Sequence, residues 1–144
     1  LKRVQKYTKR SGEYGAWYML NVYSQRATNP DDMDIEPNME IHCNNLTAIK
    51  NLLSEIKEAD VWCAWGNLIG KRKYLYDLLF GNKEKDIDGI ISLFSRNYHF
   101  KAYGATTKGN PKHPLLIGEK AELSSLDEIG LKELSDRIIN NIKK

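Results

Sequence analysis

The sequence predicts an α/β domain with a three-layer αβα arrangement, in which helices cover both faces of a short, mostly parallel sheet. Apolar runs rich in β-forming residues alternate with amphipathic helical stretches, and no hairpin turn joins two of the runs. Such alternation is typical of parallel strands joined by right-handed crossovers. The chain has 144 residues, 41% hydrophobic and 28% charged, so a single domain over 1–144 can bury a core without metal ions or disulfide bonds.

Three runs are predicted as strands. Residues 16–23 (AWYMLNVY) are almost continuously apolar, which is typical of a strand covered on both faces. The second run, 60–65 (DVWCAW), ends at Gly66, and the third, 99–103 (HFKAY), ends at Gly104.

Helices are predicted before and between these strands. A basic helix opens the chain and ends at Gly12 and Gly15. Leucines and isoleucines recur at intervals of three and four residues in 38–58, which predicts an amphipathic helix there. A short helix is predicted over 72–80.

Two further helices are predicted in the second half of the chain. Ile87, Ile90, Ile91 and Phe94 have the spacing of one helix face. Ser125 and Glu128 have capping-box spacing and predict the start of a helical tail.

The charge is moderate but uneven. A net charge of +3 is smaller than that of a strong polyanion binder. Basic residues nevertheless form two runs, Lys2, Arg3, Lys6, Lys9 and Arg10 near the start and Lys71, Arg72 and Lys73 further on. Each run fits either a solvated helix face or a set of phosphate contacts, and the sequence leaves both open.

The two cysteines, Cys43 and Cys63, are predicted to be buried thiols rather than a disulfide or a metal pair. No Cys/His cluster has zinc spacing, and no cofactor is expected. The apolar runs are too short to cross a bilayer, and no signal segment opens the chain, so a cytoplasmic protein without a membrane partner is predicted.

A ligand site is expected beyond the carboxyl ends of the strands, as in other open α/β sheets. This rule selects three polar or glycine-rich segments, 24–32, 66–73 and 105–116. We call these the first, second and third rim segments.

The third rim segment (ATTKGNPKHPLL) carries the candidate catalytic residue. Prolines on both sides of Lys112 and His113 restrict the backbone. His113 can therefore be held as an acid, a base or a hydrogen-bond donor, or it can simply cap a turn. The segment also offers groups suited to a phosphate or a carboxylate, which are Thr106, Thr107, Lys108 and Gly109.

Other candidate substrate-binding residues lie at the ends of the first two predicted strands. Arg26 can bind an anion or pair with Asp31 or Asp32 as a loop brace. Trp65 can stack on a base or belong to the core. The full candidate substrate-binding set is Asn21, Arg26, Thr28, Trp65, Gly66, Thr107, Lys108 and Gly109.

Several chemistries lack their sequence motifs. The chain has no Walker-type phosphate loop, no glycine-rich dinucleotide fingerprint and no Gly-x-Ser-x-Gly nucleophile elbow. The third rim segment contains no carboxylate. In a two-carboxylate mechanism Asp31 or Asp32 would supply one carboxylate, and the sequence offers no evident second one.

Three stretches together resemble a bacterial and phage family catalogued as domain of unknown function 1643. They are 20–30 (LNVYSQRATNP), 59–66 (ADVWCAWG) and 103–115 (YGATTKGNPKHPL). The resemblance covers the chain to about Ile117 and implies that an opening strand of the family and its Asn-Pro-Ser-type loop are missing here.

The family pattern in turn is distantly similar to the uracil-DNA glycosylase superfamily, which has a three-layer α/β fold and a late His-Pro or Asn-Pro loop. This similarity implies that His113 steadies negative charge on a departing base and that Arg26 or Lys108 holds a phosphate. The water-positioning residues of those enzymes would belong to the missing opening loop.

Three functions remain open on the sequence. The first is an enzyme that acts on a nucleobase, nucleotide or nucleic acid, with His113 at its centre. The second is a non-catalytic module that binds nucleotide or nucleic acid through the same segments. The third is a protein-interaction factor, supported only by the polar tail at 140–144.

Overall fold

The structure is a computed structural model that describes residues 2–26, 29–114 and 122–143. Within these ranges it has a mixed α/β fold of four α-helices and one three-stranded sheet. The helices are α1 (Lys2–Ser11), α2 (Met39–Glu55), α3 (Tyr74–Phe80) and α4 (Lys132–Asn141). The strands are β1 (Ala59–Trp62), β2 (Tyr98–Ala102) and β3 (Ser124–Ser125). The α/β class predicted from the sequence is confirmed.

The sheet has the order β1-β2-β3. β1 and β2 are parallel, with Ala59 opposite Tyr98 and Trp62 opposite Lys101. These are the second and third predicted strands, and β1 ends earlier than predicted. The two-residue β3 is antiparallel to β2 and was not predicted, because so short a segment has no periodicity to detect.

The strand predicted over 16–23 is wrong. These residues are irregular, and no strand in the described part of the chain pairs with them. Four consecutive apolar side chains in this run are 37–61% exposed, and only Tyr23 is buried. Apolar composition alone cannot form a strand, because the backbone N–H and C=O groups also need a partner.

Two helix predictions also need correction. Ile90, Ile91 and Phe94 do not lie on an α-helix. They lie in or directly after a single 3₁₀ turn, Ile90–Leu93, and all three side chains are buried. The Ser125 hydroxyl accepts a hydrogen bond from the Glu128 N–H (3.4 Å), but this bond closes a turn after β3. Helix α4 begins later, at Lys132.

The core lies between α2, α3, the 3₁₀ turn at 90–93 and one face of the sheet. Leu78 and Ala102 are completely buried there. His42 of α2 is also buried and donates from Nε2 to the Asp88 carbonyl (2.7 Å). Cys63 is buried as predicted, and burial raises the pKa of its thiol. Cys43 is exposed, so the prediction for that thiol is wrong.

Helix α1 contacts the other face of the sheet through an aromatic cluster. The Tyr7 ring packs edge-on against the rings of Trp62 and Tyr103, at centroid distances of 6.0 and 5.2 Å. These contacts fix α1 beside the ends of β1 and β2.

The segment after α1 is attached to the same face through Asp60. Its Oδ2 accepts hydrogen bonds from the Tyr14 hydroxyl (2.5 Å) and from Lys101 Nζ (3.0 Å). The segment around Tyr14 is thereby held against the sheet. No helix in the described ranges has the length and apolar character needed to span a membrane.

Candidate functional site

The second and third rim segments lie against each other at the ends of β1 and β2. The Gly66 N–H donates to the Pro111 carbonyl (2.9 Å), and the Lys112 N–H donates to Gly104 O (2.9 Å). A further N–H to carbonyl bond, from Thr106 to Asn110 (2.7 Å), closes the tip of the third segment. The two segments therefore form one surface.

Three side chains at this junction form what we call the amide cluster: Asn67, Thr106 and Asn110. Asn67 Oδ1 accepts hydrogen bonds from the Thr106 hydroxyl (2.7 Å) and from Asn110 Nδ2 (3.0 Å). The Asn110 N–H donates to Thr106 Oγ1 (3.2 Å). Within the described residues, Asn67 Nδ2 and Asn110 Oδ1 form no further hydrogen bond. The cluster therefore leaves one donor, on exposed Asn67, and one acceptor, on half-buried Asn110, available to a ligand.

His113 is half-buried next to this cluster. A Cβ atom at Gly66 would lie 3.4 Å from His113 Cβ, and Gly66 has a φ of +60°. The positive φ favours glycine at this turn, and a Cβ atom there would be in ordinary van der Waals contact with His113. Arg3 of α1 donates from Nη1 to the Pro114 carbonyl (3.3 Å), so the start of α1 borders the His113 loop.

The first rim segment is attached to the start of α3 instead. Lys71 forms an ion pair with Asp31, and this contact lowers the pKa of the Asp31 carboxyl. Arg72 donates to the carbonyl of Asp31 in the same segment (3.2 Å) and to the carbonyl of Met33 just after it (3.1 Å). Arg26, for which the sequence left open an anion contact or a brace to Asp31 or Asp32, is exposed, and Lys71 and Arg72 make the contacts to Asp31.

The remaining candidates fall into two groups. Thr107, Lys108 and Gly109 are exposed at the tip of the third segment, where Gly109 has a φ of +79°. Elsewhere, the Asn21 carbonyl accepts a hydrogen bond from Asn45 of α2 (2.8 Å), and half-buried Trp65 packs against the core. Thr28 lies outside the described residues.

Sequence reasoning missed Asn67 and Asn110, although both lie in rim segments that it selected. A single amide carries no motif, and the two residues are 43 positions apart in the chain. The only available signal was that each of two convergent segments contains an asparagine.

The described residues contain no group of three or more His, Cys, Asp or Glu side chains that could hold a metal ion. In comparison with known proteins, residues 1–115 match the family described as Protein of unknown function (DUF1643), which covers most of the chain. No curated protein and no solved structure matches the chain.

Proposed function

We propose that this chain, which belongs to the DUF1643 family of proteins of unknown function, recognises a nucleobase at the joined second and third rim segments. The observation that carries the proposal is the amide cluster, which leaves Asn67 Nδ2 and Asn110 Oδ1 with no further hydrogen bond among the described residues. Nucleobase edges present adjacent donors and acceptors, and asparagine amides pair with them in a bidentate manner. The base belongs to a nucleotide or to nucleic acid.

His113 supplies the chemistry in this proposal. Its side chain is half-buried, and His113 packs beside Gly66, the chain neighbour of Asn67. A histidine can donate a proton or a hydrogen bond to a base as negative charge develops on it. Lys108 and Thr107 are exposed at the tip of the same loop and would contact a phosphate of the ligand. The protein would then be an enzyme directed at nucleobases, nucleotides or nucleic acid.

A non-catalytic binding module is the second candidate, and one observation favours it. Asp31, a carboxylate of the first rim segment that a two-carboxylate mechanism would need, is engaged in an ion pair with Lys71. A module of this kind would recognise its ligand by hydrogen bonding and charge, without turnover.

We also propose the glycosylase-like, three-layer form of the fold. Its support is the His-Pro sequence in the loop that follows β2, together with α1 on one face of the sheet and the core on the other. A base-release assay on uracil-containing DNA tests the activity that this relationship implies.

Calorimetric titration with the four ribonucleoside monophosphates tests base recognition. Asn67→Asp keeps the oxygen that accepts from Thr106 and Asn110 but replaces the outward donor with a second acceptor. We expect at least one nucleotide to bind, and this variant to weaken that binding about 10-fold or more, since a bidentate base contact contributes about 1–3 kcal/mol.

Asn97→Asp, at an exposed position outside the rim segments, is the matched control and should bind as the parent protein does. Equal binding by the two variants, or no binding of any nucleotide by the parent protein, would contradict base recognition. Product release that is lost in His113→Ala identifies an enzyme, whereas tight binding without turnover identifies a module.

A further inference from the structure

Helix α1 carries three lysines on one side and no acidic residue. Lys2, Lys6 and Lys9 fall within an arc of about 60°, because successive helical residues turn by about 100°. All three are exposed. They form no ion pair within the described part of the chain, whereas four lysines elsewhere each pair with an aspartate. We call these three residues the lysine stripe, a concentration of uncompensated positive charge.

A groove of about 400 Å³ borders the lysine stripe. Gln5 and Lys9 of α1 line one side, and Tyr14 and Trp17 line the other. The hydrogen bond from the Tyr14 hydroxyl to Asp60 holds this aromatic side in place. The volume lies in the range of small-ligand clefts, about 300–1,000 Å³. Proteins bind single-stranded nucleic acids on surfaces that combine aromatic side chains with cations. The bases stack on the rings, and the cations contact the phosphates.

The groove continues into an exposed apolar segment, 17–20. Trp17 is 37% exposed and Tyr18 is 61% exposed, and Met19 and Leu20 follow at 53% and 37%. Contiguous exposed apolar side chains on a folded protein mark a binding surface more often than isolated ones do. The segment therefore extends the aromatic side of the groove along the protein surface.

We propose that the lysine stripe, the groove and segment 17–20 together bind single-stranded nucleic acid. The phosphates lie along the lysines, and the bases stack on the rings of the groove and of the segment. Gln5 offers an amide that can hydrogen-bond to a base or a sugar.

An acidic membrane surface would also attract the lysine stripe, but the packing of α1 argues against it. A basic interfacial helix binds a bilayer by inserting its apolar face. The apolar face of α1 is already covered by the protein, because Val4 is only 6% exposed and Tyr7 packs against Trp62 and Tyr103. A polyanion that needs no insertion fits the stripe better.

One edge of this surface borders the loop that contains His113. Arg3 lies on the side of the lysine stripe opposite the groove and contacts the carbonyl of Pro114, next to His113. The inference rests on the proposed function in one respect: the nucleic-acid strand bound along α1 supplies the base that the amide cluster recognises. The substrate is then a base within a single strand rather than a free nucleotide.

Fluorescence anisotropy with a labelled oligothymidylate, over a range of salt concentrations, tests the surface. The triple variant Lys2→Ala, Lys6→Ala, Lys9→Ala should bind at least 10-fold more weakly. Its salt dependence, log K against log salt, should be shallower by about 2, because each phosphate contact contributes about 0.7 for a single strand. The triple variant Lys50→Ala, Lys57→Ala, Lys83→Ala removes the same charge from exposed positions elsewhere and should retain binding.

The contribution of base stacking is tested by two substitutions of Trp17. Trp17→Leu keeps an apolar side chain but removes the ring, and should weaken binding about 10-fold. Trp17→Phe keeps a ring and should retain most of the affinity. Identical behaviour of the two lysine variants, or binding to phosphatidylserine vesicles without binding to the oligonucleotide, would overturn the proposal.

A parallel titration with mononucleotides separates this inference from the proposed function. If the lysine-stripe variant binds oligonucleotide normally while Asn67→Asp loses mononucleotide, base recognition stands and this surface is refuted. If oligonucleotide binding needs the lysines but mononucleotide never binds, the surface stands and base recognition is refuted.

Discussion

Gly89 lies against the end of α3, where no side chain can be accommodated. A Cβ atom there would lie 2.2 Å from Gly81 N, 2.3 Å from the Phe80 carbonyl carbon and 2.8 Å from Leu79 O. All three are backbone atoms, so a rotamer change cannot relieve the contact. Gly89 has an ordinary φ of −92°, and the constraint is therefore steric rather than conformational.

We expect Gly89→Ala to lower the free energy of unfolding by about 3 kcal/mol, since overpacking a core forces the backbone to shift. Urea unfolding measures the change. Gly70→Ala is the control, because a Cβ atom there meets nothing within 4 Å. A Gly89→Ala protein as stable as Gly70→Ala would show that α3 and the 3₁₀ turn separate easily.

At the scale of elements, one guanidinium group makes three of the hydrogen bonds that hold residues 31–34 against the start of α3. Arg72 donates from Nε to Asp34 O (3.2 Å) and from Nη2 to the carbonyls of Asp31 and Met33. The Tyr74 hydroxyl donates to the same Asp34 carbonyl (2.6 Å). A lysine cannot reproduce this fork of donors.

Arg72→Lys should therefore lower the free energy of unfolding by about 2 kcal/mol, because hydrogen bonds from charged groups contribute about 1.5–3 kcal/mol. Hydrogen exchange should become faster in 31–34, which the guanidinium and Tyr74 hold. Lys73→Ala, at the exposed neighbouring position, should leave both unchanged. Unaltered exchange in Arg72→Lys would mean that the segment is held by other contacts.

At the scale of the whole molecule, two partly buried carboxylates determine part of the response of the fold to acid. Burial raises the pKa of Asp60, but hydrogen bonds from Tyr14 and Lys101 outweigh it, and the net pKa lies below the ordinary value. Asp77 behaves in the same way, with Lys85 and Asn82 as its partners. Such a carboxylate stabilises the fold above its unfolded pKa, near 4, and this contribution is lost as pH falls through the folded pKa.

Acidification below about pH 4 should thus lower the free energy of unfolding, and the double variant Asp60→Asn, Asp77→Asn should show a shallower decline. Thermal unfolding from pH 2.5 to pH 6 measures both curves. Asp127→Asn, at an exposed position, serves as the control. Parallel curves for the parent protein and the double variant would assign the acid sensitivity to other groups.

Local periodicity was sufficient to predict α2, α3, β1 and β2, because one face of each element is buried and the apolar spacing records it. The same reasoning failed at 16–23, where the apolar run has no partner strand in the described residues. It failed again at Ile90–Leu93, since a 3₁₀ turn can place side chains at three-residue intervals as a helix does.

The sequence by itself determined the α/β class, the order of its main elements and the segments from which a rim could form. Only the tertiary structure decided which rim segments meet. Asn67 contacts Asn110 across 43 positions, and Lys71 rather than Arg26 pairs with Asp31. The physical reason is that periodicity reflects the local backbone and the burial of one face, whereas contacts between loops depend on how all the elements pack together.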